Sequence, residues 1–126
     1  MLAAKDAVAT VAVTDLDRAK EFYGETLGLK EGEGEEDMVA TFRSGGSTLM
    51  VYKSEFAGTN QATAVTWEVD NVDKEVETLK AKGVEFEHYD FPDGRLEGDV
   101  HVFGDRIRNA WFKDPDGNIL AIVSVH

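Results

Sequence analysis

The feature that most constrains this chain is an internal repeat. Val8, Asp15, Leu16 and Tyr23 recur as Ala64, Asn71, Val72 and Leu79, each shifted by 56 positions (64 − 8 = 56). Each copy opens with an apolar, β-compatible run, 8–13 in the first and 64–69 in the second. An Asp or Asn follows and predicts a helix N-cap, with Asp17 adding negative charge to the first turn. Leu16, Ala19, Tyr23 and Leu27 then fall at helical spacing, as do Val72, Val76 and Leu79, so each helix has one apolar face. Gly28 and Gly83 stand where helices end.

Leu29 begins a further strand. Runs 38–43 and 48–53 read as two strands joined at Ser44-Gly45-Gly46-Ser47. In the second copy 84–88, 107–113 and 118–125 read as strands, and 90–104 as an extra Gly-containing loop. Each copy is therefore a βαβββ module, about 5–53 and about 63–126. The connector, about 54–62, carries Gly58 and Asn60. Two copies imply paired modules rather than a solenoid, which needs three or more. The second module ends in Trp111-Phe112-Lys113-Asp114-Pro115-Asp116-Gly117-Asn118-Ile119. Here Pro115 presets φ for a turn, and Gly117 and Asn118 tolerate positive φ between apolar strands.

With 126 residues, 42% of them apolar, the chain is expected to fold as one domain with a real core. Its formal charge of −12 disfavours nucleic acid and is compatible with a cationic ligand, though such charge mainly keeps an acidic protein dispersed. Five acidic residues within 31–37 read as a solvated loop. Cysteine is absent, so there is no disulfide, thiolate nucleophile or Cys-based zinc site. No apolar run approaches the ~20 residues needed to span a bilayer, and residues 1–14 lack the basic head and apolar middle of a secretory signal. The expectation is a cytoplasmic protein with no membrane partner.

Val13-Thr14-Asp15-Leu16-Asp17-Arg18-Ala19-Lys20-Glu21-Phe22-Tyr23, followed by Leu27-Gly28-Leu29, resembles the opening of the vicinal oxygen chelate superfamily. That group holds glyoxalase I, extradiol dioxygenases and bleomycin-resistance proteins. Phe112-Lys113-Asp114-Pro115-Asp116-Gly117-Asn118 resembles its closing signature, so the likeness spans essentially the whole chain. It implies an α+β fold in which two tandem βαβββ modules form a curved mixed sheet, an open cup with helices outside. Metal-dependent members hold a divalent ion in the cup with His and Glu. The matching places here are Val8, Ala64, a position near Met50, and Ala121. Val, Ala and Met cannot bind a hard or borderline divalent ion, so no metal and no cofactor is expected. Bleomycin-resistance proteins are the type of the metal-free members, which bind a compound rather than transform it.

If the ligand places point into the cup, strand alternation sends Thr10, Ala12, Thr48, Tyr52, Thr66, Glu68, Ile119 and Val123 the same way. The opposite face, with Val11, Val13, Leu49, Val51, Val65, Trp67, Val69, Leu120 and Ile122, is greasier and should pack on the helices. Trp111 is expected to face the cup, and Tyr89 and Phe103 to cover its mouth. The candidate ligand-binding set is thus Thr10, Thr48, Tyr52, Thr66, Glu68, Trp111, Tyr89 and Phe103, with no residue assigned to catalysis.

Glu68 needs a partner on that face. Arg43, Arg106 or Arg108 would make it structural, a cationic ligand would make it functional, and an apolar pocket would make it a general base. His88, His101 and His126 read as surface or hydrogen-bonded. The alternative is a replacement metal site from His88, His101 and Glu68 or Asp99. No Ser-His-Asp constellation or phosphate-binding glycine loop is visible.

The leading expectation is a metal-free protein that sequesters a small molecule, aromatic or cationic. The alternative is a lyase, isomerase or dioxygenase of the same superfamily, with a displaced metal or none. A third reading has a protein partner and a vestigial cup. Open strand edges and the habit of small superfamily members predict a homodimer.

Overall fold

The computed structural model describes residues 1–33 and 38–125. Within 31–37, residues 34–37 of the expected acidic loop lie outside the described residues, as does His126. The chain forms two compact units, Met1–Thr59 and Asn60–His126.

In the first unit a 3-10 turn, Leu2–Ala4, precedes β1 (Ala9–Val13), helix α1 (Leu16–Lys20), β2 (Lys30–Glu31), β3 (Val39–Ser44) and β4 (Ser47–Lys53). The strands order as β1-β4-β3-β2, with β1 parallel to β4 and the other pairs antiparallel. The Asp15 carboxylate caps α1, accepting from the amides of Asp17 and Arg18 at 3.0 and 3.2 Å. Where the apolar spacing predicts one continuous α-helix, the segment Glu21–Thr26 is π-helical, and the Leu27 amide donates to the Phe22 carbonyl five residues back. Gly28, at φ 76°, ends it in the left-handed region. The widened turn delivers Tyr23 into the core, fully buried and with its ring 6.0 Å from that of Phe42.

The second unit holds β5 (Thr63–Glu68), α2 (Val72–Ala81), β6 (Phe86–Glu87), β7 (Gly94–Glu97), β8 (Val100–Phe103), β9 (Ile107–Lys113) and β10 (Ile119–Val125). Its sheet runs β5-β10-β9-β8-β7, with β6 also paired to β9 and only β5–β10 parallel. Asn71 caps α2 through the Lys74 amide at 3.1 Å, and Val72, Val76 and Leu79 are buried as the periodicity predicts. The fold is α+β, and the described residues form two α-helices and ten strands in two mixed sheets that do not close. Among the described residues no helix is long and apolar enough to cross a membrane.

The stretch 90–104 is not a loop but the hairpin β7–β8, turning at Gly98 with φ 63°. Its pattern is hard to read because β7 offers one apolar side chain, Leu96, and that one is exposed. In the closing turn, of the two residues that tolerate positive φ, Gly117 alone takes it, at 91°. Asn118 serves instead through its side chain. The buried Asp114 carboxylate accepts from the amides of Asp116 and Asn118, both at 2.9 Å, and from Asn118 Nδ2 at 2.8 Å. This clamp sets the β9–β10 register. Asp114→Ala is expected to destabilise the protein by about 2–4 kcal/mol, because buried amides lose a charged acceptor. Urea unfolding of the two proteins measures it.

Candidate functional site

The described strands sort the candidate residues by face within each unit. In the first, Thr10 pairs with Met50 and Ala12 with Tyr52 across β1–β4, while Thr48 and Tyr52 share the face of Met50 on β4. Thr10 and Tyr52 are exposed and Thr48 half-buried, whereas the opposite face, Val11, Val13, Leu49 and Val51, is buried. In the second, Ala121 pairs with Thr66 on one side and Trp111 on the other, and Val123 pairs with Glu68. The register thus places Thr66, Glu68 and Trp111 on the face of Ala121. Behind them Leu120 and Ile122 are buried, but Val65 and Trp67 are only half-buried, so the edge strand β5 is less covered than its apolar residues suggest.

Glu68 is exposed, and among the described residues its carboxylate has no ion-pair partner. Arg108, one of its expected partners, is held instead by Asp73 at 2.9 and 3.0 Å and by Glu97 at 3.3 Å. These contacts raise the guanidinium pKa, Asp73 contributing most. The exposure of Glu68 also removes the apolar surroundings that a general base would need.

The structure concentrates aromatic side chains around Trp111. Tyr89 lies at 5.5 Å between ring centroids, Phe91 at 5.3 Å and His101 at 4.9 Å, while Phe103 joins through Phe91 at 5.3 Å. The Trp111 indole N–H donates to Thr63 Oγ1 at 3.1 Å. Tyr89 and Trp111 are thus brought together, and Phe103 sits at the end of β8 rather than in a loop. Its ring lies so close to Gly94 that a Cβ there would come within 2.7 Å. Phe91 and Gly94 are members that sequence reasoning missed, and His101 was read there only as a surface or hydrogen-bonded group or an alternative metal ligand. The run Val100-His101-Val102-Phe103 between Gly98 and Gly104 was the signal, a short β-compatible segment bracketed by turn residues.

His101 is on β8 and 2% exposed, not in a loop. The backbone amide of Tyr89 approaches its Nε2 at 2.9 Å. An amide nitrogen can only donate, so Nε2 is the acceptor and the ring is neutral with its proton on Nδ1. That Nδ1 lies beside the backbone of Asn109, its partner across β8–β9, without reaching hydrogen-bond geometry. Burial holds the imidazole pKa below the ordinary histidine value. It also pushes the Tyr89 phenol up, with the Glu87 charge adding to it. His88 Nε2 meets Asp99 Oδ1 at 2.8 Å, and Lys80 reaches Asp99 Oδ2 at 2.7 Å. Lys80 first, then His88, holds the Asp99 carboxyl below its ordinary range. Between the 88–91 segment, β7 and His101 opens a cavity of about 300 Å³.

At the places that the resemblance implies for metal ligands, the side chains of Val8, Ala64 and Ala121, and of Met50 near the remaining one, carry no nitrogen or oxygen donor. The replacement set fares no better, since Tyr89 takes the His101 Nε2 and Lys80 shares Asp99 with His88. Among the described residues no group of three or more His, Asp or Glu is placed to hold a metal ion.

Residues 6–122 match the family model for the Glyoxalase/Bleomycin resistance protein/Dioxygenase superfamily, and the chain belongs to that family. No curated protein matches it. Among solved structures it is similar to TnmS3, an antibiotic-binding protein from a Streptomyces species, at 22% identity over 97% of this chain and 96% of that one, TM-score 0.66. It is similar to a glyoxalase/bleomycin resistance protein/dioxygenase from Alicyclobacillus acidocaldarius at 20% identity over 96% and 91%, TM-score 0.71. A variant of the fosfomycin resistance protein FosX from Listeria monocytogenes, complexed with Mn(II) and a dihydroxypropylphosphonic acid, matches at 20% identity over 97% and 90%, TM-score 0.69.

The His101 latch predicts a pH response. A folded-state pKa below the unfolded one means that the unfolded chain takes up the proton first, so stability falls with pH below the ordinary histidine pKa. Urea midpoints are expected to decline between about pH 7.5 and about pH 5.5. His101→Phe, which takes up no proton, should flatten that slope while lowering stability at neutral pH.

Proposed function

We propose that this chain is a small-molecule-binding protein of its superfamily that sequesters its ligand without a divalent metal at the superfamily's ligand places. The donor set supports the reading, since the side chains of Val8, Ala64 and Ala121, and of Met50 near the remaining place, supply no donor for the ion on which the metal-dependent members rely. Sequestration needs only a shaped, mostly apolar cavity with a few polar groups. The cavity walled by Tyr89, Phe91 and His101 supplies that within one unit. The fold itself does not choose between binding and catalysis, because TnmS3 is described as binding an antibiotic and a FosX variant is complexed with Mn(II).

Two measurements test the reading. Calorimetric titration against a panel of aromatic and cationic compounds should find a binder tighter than about 1 mM, and none across a broad panel overturns it. Metal analysis of untagged, dialysed protein should find no stoichiometric manganese, iron, nickel or zinc. Such an ion would return the assignment to a lyase, isomerase or dioxygenase. We also read the assembly as a homodimer, since among the described residues each sheet ends in edge strands paired on one side, β1 and β2 in one and β5 and β7 in the other. Light scattering that gives the mass of a single chain overturns it.

A further inference from the structure

The cavity at the β7–β8 hairpin has chemistry specific enough to name a ligand class. Its walls are the ring surfaces of Tyr89, Phe91 and His101, with Gly94 and Arg95 on the β7 side. The rings are braced from behind. Phe91 lies tilted 32° against Trp111, His101 stacks on Tyr89 at 30°, and Phe103 presses on Phe91. A flat ring system gains offset-stacked or edge-to-face contacts against such walls beyond the area that it buries. A volume of about 300 Å³ is at the small end of drug-sized sites.

The charges sort the ligand further. The cation on the wall, Arg95, is held by Glu97 at 2.9 Å, and the nearby Lys80 is held by Asp99 at 2.7 Å. Each of these positive charges is balanced by its carboxylate partner. His101 is neutral because its Nε2 accepts from the Tyr89 amide. Asp90 also lines the cavity, and among the described residues its carboxylate has no partner. The uncompensated charge is therefore negative, inside a chain of net charge −12. A positive charge over the faces of Tyr89 and Phe91 also gains from the ring quadrupoles.

We propose that this cavity binds a flat aromatic cation, with Asp90 as its counter-charge and Tyr89 and Phe91 as its stacking surfaces. This deepens the small-molecule reading and rests on it. The segment 88–91 then does two things at once, since it supplies both the stacking rings and the charge, and the Tyr89–His101 bond holds it in place.

Three acridines of one ring shape test the proposal by fluorescence titration at about pH 8. Proflavine is cationic, acridine neutral and acridine-9-carboxylate anionic. Proflavine is expected to bind about tenfold more tightly than acridine, and the carboxylate more weakly than either. Its affinity should fall as salt rises, while that of acridine stays level. Asp90→Asn, an exposed change that leaves packing intact, should remove the preference for proflavine and leave acridine binding unchanged. Phe91→Ala should weaken all three.

Equal or reversed affinities for proflavine and acridine overturn the charge assignment. Proflavine binding untouched by both variants overturns the site. If no acridine binds while another compound of the calorimetric panel does, the ligand class is wrong and the small-molecule reading stands. If nothing in the panel binds, both fall.

Discussion

The second unit depends on one buried carboxylate. Asp114 gathers the amides of Asp116 and Asn118 and the Asn118 side chain, so the reversal between β9 and β10 admits one register. Those two strands are the middle of the sheet. β5 pairs with β10, and both β6 and β8 pair with β9. A slip of one residue would exchange Trp111 for Phe112, turning the buried ring outward and the site's ring inward. Position 111 is thus a consequence of position 114.

Much of the fold was legible because its signals are short-range. Asp15 and Asn71 announced their helices, and the buried faces of α2 and of β4 followed their periodicities. What escaped is governed by tertiary context. The π-helical segment after Lys20 carries the same apolar spacing as an α-helix, and nothing in 21–26 marks the wider turn. The hairpin β7–β8 was hidden because a four-residue edge strand with mostly polar side chains looks like a loop until its partner is known.

The site was legible in part for the same reason. Register alone could place Thr66, Glu68 and Trp111 on one face, because that needs only the alternation of β5, β9 and β10. It could not say that Glu68 goes without Arg108, since Asp73 of α2 claims the guanidinium from 35 positions away. Nor could it say that His101 is a neutral acceptor, which depends on a backbone amide of a different segment. Chain-local chemistry shows which residues are available, while long-range pairing decides which remain unspent.

Gly94 gives the cavity an asymmetry in what mutation can reach. The Phe103 ring occupies the volume where a side chain at 94 would begin, and Phe91 backs that ring. A substitution there pushes on the whole stack, so that floor is closed to gradual drift. Asp90, Arg95 and Leu96, by contrast, are exposed around the same opening. Descendants of this sequence can exchange those three side chains singly without disturbing the stack. The rim can therefore diverge over evolutionary time while the aromatic floor is inherited unchanged.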